Sequence, residues 1–395
     1  MDRLFAILAI ILKILIAPVQ QSTLACVTAT SDLVASMADA QAGPRCLDIP
    51  AGVYSIGAAT SGAWLNATVD NLEIKGAGAG KTILQITQPL TLTQDFVVLR
   101  LFGVNQHVHD LTVQLGTGHT GTGSIGGIVI YGSGGIAAFA GRAERAEIDH
   151  VEITGGYSAN GSGGYAIGTY RLSTDKAAAQ WNTIQDNWIH DSPSTGIGVN
   201  SNNNLLLHNR IERVGASPLA HGFYAQGGYN VYDGNYVSGA SGYSFHGWKH
   251  VPSIDASGDR YVNNTSIDPG VGHMVINGIV GNLTRNVVIA GNLFRNTGGR
   301  FASGVAVDQI SGAIISNNIF EDVLKAGSAT IDTGPNAGGA IISGNRLAAT
   351  IPANGGGNIR LLSPALVEGN VIDGANYAIF WGDLKGVAFV NNVVR

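Results

Sequence analysis

Residues 209–237 read NRIERVGASPLAHGFYAQGGYNVYDGNYV, a segment that opens on Asn209-Arg210-Ile211 and closes on the matching phrase Asn235-Tyr236-Val237. Between these two phrases, short runs of β-branched and aromatic residues alternate with Gly and Asn, which is typical of strands and turns. The segment therefore predicts one coil of a structure built from strands, with Asn at the same corner of each coil.

The same phrase, an Asn, any residue and then an apolar residue, recurs to the end of the chain. Its starts lie 22 to 29 residues apart, at Asn187, Asn209, Asn235, Asn292, Asn318, Asn345, Asn370 and Asn392, with a weaker form at Asn264. A period of this length indicates a solenoid. Because the repeats lack the 3.6-residue periodicity of helices, we predict a parallel β-helix, in which strands of successive coils pair at about 4.8 Å.

The repeated Asn has two interpretations, and both favour this fold. Its side-chain amides can form a ladder along the stack, as Asn does in other stacked β structures. Asn also tolerates the left-handed backbone conformation that a corner requires. Gly, at 56 of 395 residues, fits the need for many sharp corners.

The first 25 residues are predicted to be a signal peptide. An apolar run, broken by Lys13, ends near the small residue Ala25, which is a plausible cleavage point. Lipidation of Cys26 and an uncleaved membrane anchor are the alternatives. We therefore expect a protein that is secreted, periplasmic or held at the cell surface, in contact with a membrane only if the signal is uncleaved or Cys26 is lipidated.

Residues 26–60 are predicted to form a cap and the first strand, followed by the β-helix over residues 61–395. The segment Ser31 to Ala42 predicts a short amphipathic helix with Ser31 as its N-cap. A helix there would cover the open first coil. In an oxidising compartment a disulfide between Cys26 and Cys46 would hold the cap.

At the other end, residues 387–395 begin a new coil without a polar cap after it. An exposed strand edge is usually avoided. We expect either a missing segment or an oligomeric partner to cover this last coil.

Two segments near the start carry a resemblance. Residues 46–54 read CLDIPAGVY and residues 72–82 read LEIKGAGAGKT. They resemble the opening of the pectate-lyase-like superfamily, whose members share a right-handed, single-stranded parallel β-helix. The superfamily includes polysaccharide lyases, hydrolases, epimerases, tailspikes and adhesins, so the resemblance implies a fold and a polysaccharide partner without choosing an activity.

The resemblance also implies that substrate binds outside one long sheet. We aligned the second strands of five coils at their starts, as Gly196–Asn200, Gly222–Gln226, Gly242–His246, Gly304–Asp308 and Ser328–Asp332. Side chains alternate in a strand, so this alignment predicts inward Ile197, Phe223 and Tyr243. It also predicts one outward row of polar residues: Asn200, Gln226, His246, Asn277, Asp308 and Asp332. Amide, imidazole and carboxylate groups suit hydroxyl recognition on a sugar chain.

The first candidate site contains His221, Tyr224, His246, Lys249 and His250, with Tyr170 and Arg171 one or two coils earlier. A polysaccharide lyase needs a base for the C5 proton of a uronate, an acid for the leaving oxygen and a cation for the carboxylate. Histidine and tyrosine supply the proton steps. Lys249 or Arg171 would neutralise the carboxylate. The alternative is structural, with a histidine that caps a coil and a tyrosine that stacks.

The second candidate is a carboxylate pair, Asp308 and Asp332, predicted on neighbouring coils about 5 Å apart. Two carboxylates that close suit glycoside hydrolysis, since one is held protonated by the other. The alternatives are two solvated acids or a weak calcium site. No other cofactor is expected.

The third candidate is non-catalytic glycan binding by aromatic side chains: Trp188, Tyr224, Tyr243, Trp248, Tyr377 and Trp381. The chain carries 22 Lys and Arg against 27 Asp and Glu, a net charge of −5 that argues against nucleic-acid binding. We expect a lyase acting on an extracellular, uronate-containing polysaccharide, with a hydrolase or a glycan-binding β-helix as alternatives.

Overall fold

The computed structural model describes residues 25–57, 62–132, 143–159, 161, 164–170, 179–249, 255–278, 284–296, 304–323, 329–348, 357–373 and 380–395. In chain order, its elements are β1 Val27–Thr28, α1 Leu33–Ala42, β2 Cys46–Ile49, β3 Gly52–Ser55, β4 Gly62–Ala67, β5 Glu73–Gly76, β6 Thr82–Gln85, β7 Thr91–Leu92, β8 Phe96–Leu101, β9 His107–Gln114, β10 Thr120–Gly121, β11 Ile125–Tyr131, β12 Glu147–Thr154, β13 Tyr165–Tyr170, β14 Thr183–Gln185, β15 Trp188–Ser192, β16 Thr195–Val199, β17 Leu205–Leu207, β18 Arg210–Val214, β19 Phe223–Ala225, β20 Val231–Asp233, β21 Tyr236–Ser238, β22 Tyr243–Trp248, β23 Arg260–Val262, β24 Thr265–Ile267, β25 Gly272–Asn277, β26 Thr284–Arg285, β27 Val288–Ala290, β28 Leu293–Arg295, β29 Val305–Asp308, β30 Ile310–Ser311, β31 Ile314–Ser316, β32 Ile319–Glu321, β33 Ala329–Thr333, β34 Ala340–Ser343, β35 Arg346–Ala348, β36 Gly357–Leu361, β37 Ala365–Glu368, β38 Val371–Asp373, β39 Phe380–Gly382, β40 Ala388–Val390 and β41 Val393–Val394.

The strands form a right-handed parallel β-helix with three long faces, as the sequence predicted. One face is a twelve-stranded parallel sheet, in the order β4-β8-β11-β13-β16-β19-β22-β25-β29-β33-β36-β39. The other two faces are stacks that share the long strands β9 and β12. The first flank stack continues through β14, β17, β20 and onward to β40, and the second through β15, β18, β21 and onward to β41.

The core is a column of aliphatic and aromatic side chains between the three faces. Because equivalent residues of successive coils stack, aromatic rings pair along the axis. The Phe223 and Phe245 ring centroids are 5.1 Å apart, and those of Tyr232 and Tyr261 are 4.4 Å apart. The sequence aligned Tyr243 with Phe223, but Phe245 takes the core position above Phe223, and Tyr243 is half-buried.

The cap helix forms where the sequence predicted it, but one detail differs. Its N-cap is Asp32 rather than Ser31, since the Asp32 carboxylate accepts a hydrogen bond from the Ala35 N–H at 3.0 Å. Leu33, Met37 and other apolar residues of α1 are buried over the first coil. The predicted disulfide between Cys26 and Cys46 is formed.

The repeated Asn residues form the predicted ladder between the strands of the two flank stacks. Each side-chain N–H donates to the side-chain amide oxygen of the next Asn at 2.9 to 3.0 Å. The ladder runs from Asn187 through Asn209, Asn235, Asn264, Asn292, Asn318, Asn345 and Asn370 to Asn392. The weaker phrase at Asn264 is as regular as the others.

A second, shorter ladder lies one corner away and was not predicted. Asn182 donates to Asn204 at 3.0 Å, and Asn204 donates to Asn230 at 2.9 Å. The next position is Asp259, which accepts from the Asn230 backbone N–H. The buried Lys249 ammonium lies 2.5 Å from the other Asp259 oxygen.

The last strands, β40 and β41, continue both flank stacks and leave apolar side chains exposed, among them Phe389, Val393 and Val394. In the described part of the chain, no helix is long and apolar enough to cross a membrane. The predicted signal peptide lies almost wholly outside the described residues.

Candidate active site on the twelve-stranded sheet

Two parallel rows of side chains line the outer face of the twelve-stranded sheet. The first row, set by direct strand pairing, is Gly198, Tyr224, His246, Val275, Ala306, Asp332 and Arg360. The second row lies two residues further along each strand and contains Tyr170, Asn200, Gln226, Trp248, Asn277 and Asp308. Together the two rows form a continuous surface across successive coils.

The predicted single row was therefore wrong at two of its six members. Asn200, Gln226, Asn277 and Asp308 share the second row, but His246 and Asp332 lie in the first. The sequence alignment matched Gly222 with Gly242, whereas the structure pairs Phe223 with Phe245. That two-residue shift keeps each side chain on the same face and moves it to the neighbouring row.

The predicted carboxylate pair is not formed. Asp308 pairs with Asn277 in the second row, while Asp332 pairs with Ala306 in the first. The Asp332 carboxylate binds the Arg360 guanidinium through two hydrogen bonds, one of them from Arg360 Nε at 2.8 Å. Asp332 is thus paired with a cation of the protein itself, and the two acids do not stack directly on neighbouring coils as predicted.

His221 and His246 are joined by a hydrogen bond that fixes their proton positions. The Tyr243 backbone N–H donates to His221 Nδ1 at 3.0 Å, and His221 Nε2 lies 2.7 Å from His246 Nδ1. Since His221 Nδ1 accepts, its proton is on Nε2 and is donated to His246 Nδ1. The proton of a neutral His246 is then on Nε2.

His221 is held in this neutral form by its surroundings. The side chain is buried behind the sheet surface, and burial, together with the nearby His246, lowers the pKa of His221 to about 3. His221 is therefore a positioning group that sets the tautomer of His246, rather than a group that meets a substrate.

Tyr224 lies beside His246 in the first row, with the two ring centroids 5.3 Å apart. Burial raises the pKa of Tyr224, so its phenol is neutral near pH 7. The Gln226 amide donates to the Tyr224 hydroxyl oxygen at 3.3 Å. Tyr224 and His246 thus present two hydrogen-bond donors side by side on the outer face.

Tyr165, at the start of β13, lies next to this centre, over the strand neighbour of Tyr224, and was missed from the sequence. Its ring lies over Gly198, where a Cβ would be 2.5 Å from the Tyr165 ring. Burial raises the pKa of Tyr165 to about 12, while a hydrogen bond with the Asn200 side chain opposes that shift. Two glycines inside strands could have indicated it, because glycine in a strand often marks the close approach of another group. Gly168 and Gly198 both lie beneath the Tyr165 ring.

One predicted cationic residue, Lys249, does not face the rows. Lys249 is buried, with its ammonium bound to Asp259 and to the Gly227 carbonyl oxygen, so the prediction that it neutralises a substrate carboxylate is wrong. Arg171 and His250 lie outside the described residues. Among the residues named in the two rows, Arg360 is the one arginine or lysine, and it is paired with Asp332.

The predicted aromatic cluster is divided between faces. Tyr224 lies in the first row and Trp248 in the second, where Trp248 is 42% exposed; Tyr170, predicted with the first candidate site, is also in the second row and is 37% exposed. Tyr243 is half-buried with its ring 5.3 Å from His246. Trp188 lies on the second flank stack, where it stacks on His190. Tyr377 lies outside the described residues, and the Trp381 backbone pairs with Arg360 at the end of the first row.

No protein-family model matches the chain, and no curated protein is similar to it. Among solved structures, it is similar to the A-module of mannuronan C-5 epimerase AlgE6 of Azotobacter vinelandii, with 16% identity over 92% of this chain and 94% of that one and a TM-score of 0.62. The AlgE4 A-module of the same organism gives 18% identity, coverage of 95% and 94%, and a TM-score of 0.56. The tailspike protein of E. coli bacteriophage HK620, in complex with a pentasaccharide, gives 12% identity, coverage of 87% and 67%, and a TM-score of 0.58. At these identities the likeness shows the fold, and the chain is a right-handed parallel β-helix, as its opening residues indicated.

Proposed function

We propose that this protein is an enzyme that cleaves a uronate-containing polysaccharide by β-elimination at Tyr224 and His246. The observation that supports the proposal is the pair of donors fixed side by side on the outer face, with the His246 tautomer set by His221. A polymer must lie along the two rows to reach both groups. The rows are long enough for this, since they continue across coils on either side of Tyr224 and His246.

The roles follow from the proton positions. His246 donates from Nε2 to the uronate carboxylate, which makes the C5 proton more acidic. Tyr224 is neutral at rest, so it first releases its phenolic proton to solvent; the phenolate then takes the C5 proton and gives it to the leaving O4. The C5–H and C4–O bonds break, a C4–C5 double bond forms, and the phenolate is regenerated. His246 is not the base, because its accepting nitrogen is already occupied by the His221 N–H.

The second row supplies sugar binding in this proposal. Asn200, Gln226, Asn277 and Asp308 offer amide and carboxylate groups to hydroxyls. Tyr170 and Trp248 offer exposed aromatic faces on which sugar rings stack. The fold neighbours that act on or bind saccharides support this substrate class. In the C-5 epimerases, inversion at C5 requires removal of the same proton, so proton removal at C5 is common to that reaction and to β-elimination.

The test uses a panel of uronate polysaccharides, with the ultraviolet absorbance of the unsaturated product as readout. We expect Tyr224→Phe to lower kcat about 10²- to 10⁴-fold, since it removes the proton-transfer group. Tyr236→Phe is the matched control, because Tyr236 is a half-buried tyrosine on the second flank stack and should leave the rate unchanged.

The other outcomes each name a different activity. Deuterium uptake at C5 from D₂O without absorbance indicates an epimerase, and new reducing ends without absorbance indicate a hydrolase. Binding to a glycan array with neither signal indicates a binding protein. A Tyr224→Phe variant with undiminished turnover would contradict the residue assignment whatever the product.

We also propose that the protein is exported, to the cell surface, the periplasm or the medium. The apolar N-terminal segment and the Cys26–Cys46 disulfide support this, since structural disulfides persist in oxidising compartments. Cell fractionation tests it, and the full-length protein found with reduced cysteines in the cytoplasm would contradict it.

A further inference from the structure

A cluster of histidines and carboxylates lies on the first flank stack, on a different face of the β-helix from the two rows. Strand pairing across β5, β9 and β12 aligns Glu73 with His107 and Glu147. Two residues further along, the same pairing aligns His109 with Asp149. The cluster thus draws on three strands of three successive coils.

The donor atoms of this cluster converge. One donor atom each from Glu73, His107 and His109 lie within 4.8 Å of one another, as do one each from His107, Glu147 and Asp149. His109 Nε2 is 3.2 Å from a Glu73 oxygen, and His107 Nε2 is 2.9 Å from an Asp149 oxygen. Ligands of tetrahedral Zn²⁺ with bonds of about 2.0–2.1 Å are about 3.3 Å apart, so these separations suit a shared ion.

The outer contacts orient these donors as they do in metal sites. His109 Nδ1 lies 2.8 Å from an Asp110 oxygen and Nε2 lies 3.2 Å from a Glu73 oxygen; with the proton on Nδ1, the lone pair of Nε2 faces Glu73. The Gln185 amide donates to Glu147 at 2.8 Å, and His150 Nδ1 lies 2.9 Å from the second Asp149 oxygen. A neutral His109 has one proton for two facing carboxylates, and a cation at Nε2 satisfies both.

We propose that this cluster binds one divalent transition-metal ion of the Zn²⁺ class at Glu73, His107 and His109, with Asp149 as the neighbouring carboxylate of His107. Imidazole nitrogens favour Zn²⁺ and related ions over Ca²⁺ and Mg²⁺, which prefer oxygen ligands. The two rings stack with centroids 4.1 Å apart. Binding would require one of the two rings to turn about χ2, which is a broad torsion, so that a nitrogen of each ring faces the ion.

The ion would act as a cross-link between coils. The sequence between β9 and β12 is long, and the pairing of β5, β9 and β12 joins strands more than 30 residues apart. A metal that binds the folded arrangement and not the unfolded chain stabilises the folded state. Its role is therefore structural, and it is independent of the proposed lyase activity on the other face.

The experiment uses the full protein without a polyhistidine tag, freed of metal with a chelator and titrated with Zn²⁺ by calorimetry. We expect binding of about one equivalent and a higher unfolding temperature with Zn²⁺. His109→Gln and Glu73→Gln should each weaken binding by more than about tenfold, and Asp110→Asn by about 10- to 100-fold. Co²⁺ substitution should give visible absorption bands that His109→Gln removes.

His190→Gln is the matched control. His190 also lies between two carboxylates, with Glu152 at 3.1 Å and Asp191 at 2.7 Å, and its side chain is about as buried as that of His109. Among the described residues, His190 belongs to none of the groups of side chains whose donor atoms converge as metal ligands do. Affinity retained in His190→Gln and lost in both His109→Gln and Glu73→Gln supports the site. No Zn²⁺ binding, or equal binding in all of these variants, overturns it.

Discussion

Lys249 and Asp259 are both fully buried, and a charge in that position is unfavourable unless it is paired. Their presence follows from the second ladder. Asp259 stands where the series Asn182, Asn204 and Asn230 would place another Asn, and its carboxylate oxygen accepts the Asn230 N–H as an amide oxygen would. The extra negative charge is then met by Lys249, which also donates to the Gly227 carbonyl oxygen.

This origin leads to a prediction about stability. Lys249→Met should lower the free energy of unfolding by about 3–5 kcal/mol, because it leaves the Asp259 carboxylate buried without its cation. Combining it with Asp259→Asn should recover most of that loss, since the second change restores an uncharged ladder. Urea unfolding of the two variants measures both effects. A double variant as unstable as the single one would show that the charges themselves are needed.

At the residue scale, the sequence identified much of the centre of the candidate site. The phrase His221-Gly222-Phe223-Tyr224 and the nearby His246 do come together in three dimensions. Lys249 was placed wrongly because alternation in a strand does not show where a side chain turns once the strand has ended. Tyr165 was missed because its place depends on the space above Gly198, which only the packed strands reveal.

At the scale of elements, the main Asn ladder is the feature that holds successive corners together. Asn235 shows the pattern, donating to Asn264 and to the Leu206 carbonyl oxygen and accepting from both N–H groups of Asn209. Because these groups are buried, removing one member leaves several of them without partners.

We therefore expect the cost of losing an Asn to depend on its place in the ladder. Asn235→Ala should lower the free energy of unfolding by about 3 kcal/mol or more, as several buried groups each cost about 1–3 kcal/mol when unpaired. Asn392→Ala, at the half-buried end, should cost about 1 kcal/mol, since water can replace the lost partner. Chemical denaturation measures both. Equal losses in the two variants would show that the cost of losing an Asn does not depend on its burial.

The sequence predicted the corners of the coils better than the register of the twelve-stranded sheet. Spacing of the Asn residues set the corners well, because each is fixed by hydrogen bonds to its neighbours in the ladder. The strands of the twelve-stranded sheet have no such marker, and Gly242 resembled Gly222 without being its equivalent. Register there is set by packing, shown by Phe245 stacking on Phe223, and a two-residue shift leaves the alternation of side chains unchanged.

For the molecule as a whole, two buried histidines tie stability to pH. Burial lowers the pKa of His221 and of His273 to about 3. The unfolded chain binds protons at its ordinary histidine pKa of about 6.5, so it holds more protons than the folded state at mildly acidic pH. The contribution of these two neutral histidines to stability is complete above the histidine pKa of the unfolded chain, and it decreases progressively as pH falls from about 6.5 towards 3.

In the metal-free protein, His107 and His150 act in the opposite direction: burial lowers the pKa of His107, but its contact with Asp149 outweighs burial and raises it, and a hydrogen bond with Asp149 raises the pKa of His150. Their contribution is gained as pH falls through the range just above 6.5 and is nearly complete below about pH 6. Among the histidines with shifted pKa values, the interval from pH 6 to 4.5 therefore reports mainly on His221 and His273. Each should lower the free energy of unfolding by about 1.4 kcal/mol per pH unit once it is fully protonated in the unfolded chain.

We expect urea unfolding between pH 6 and 4.5 to show this loss and His273→Asn to remove about half of its slope, because one of the two buried neutral histidines is gone. The slope is the measurement, so a general loss of stability in the variant does not affect it. His208→Asn is the control, as His208 is an exposed histidine on the flank stacks and should leave the slope unchanged. A slope that is the same in all three proteins would show that His273 is protonated without unfolding, and that the core around Ser266 admits the charge.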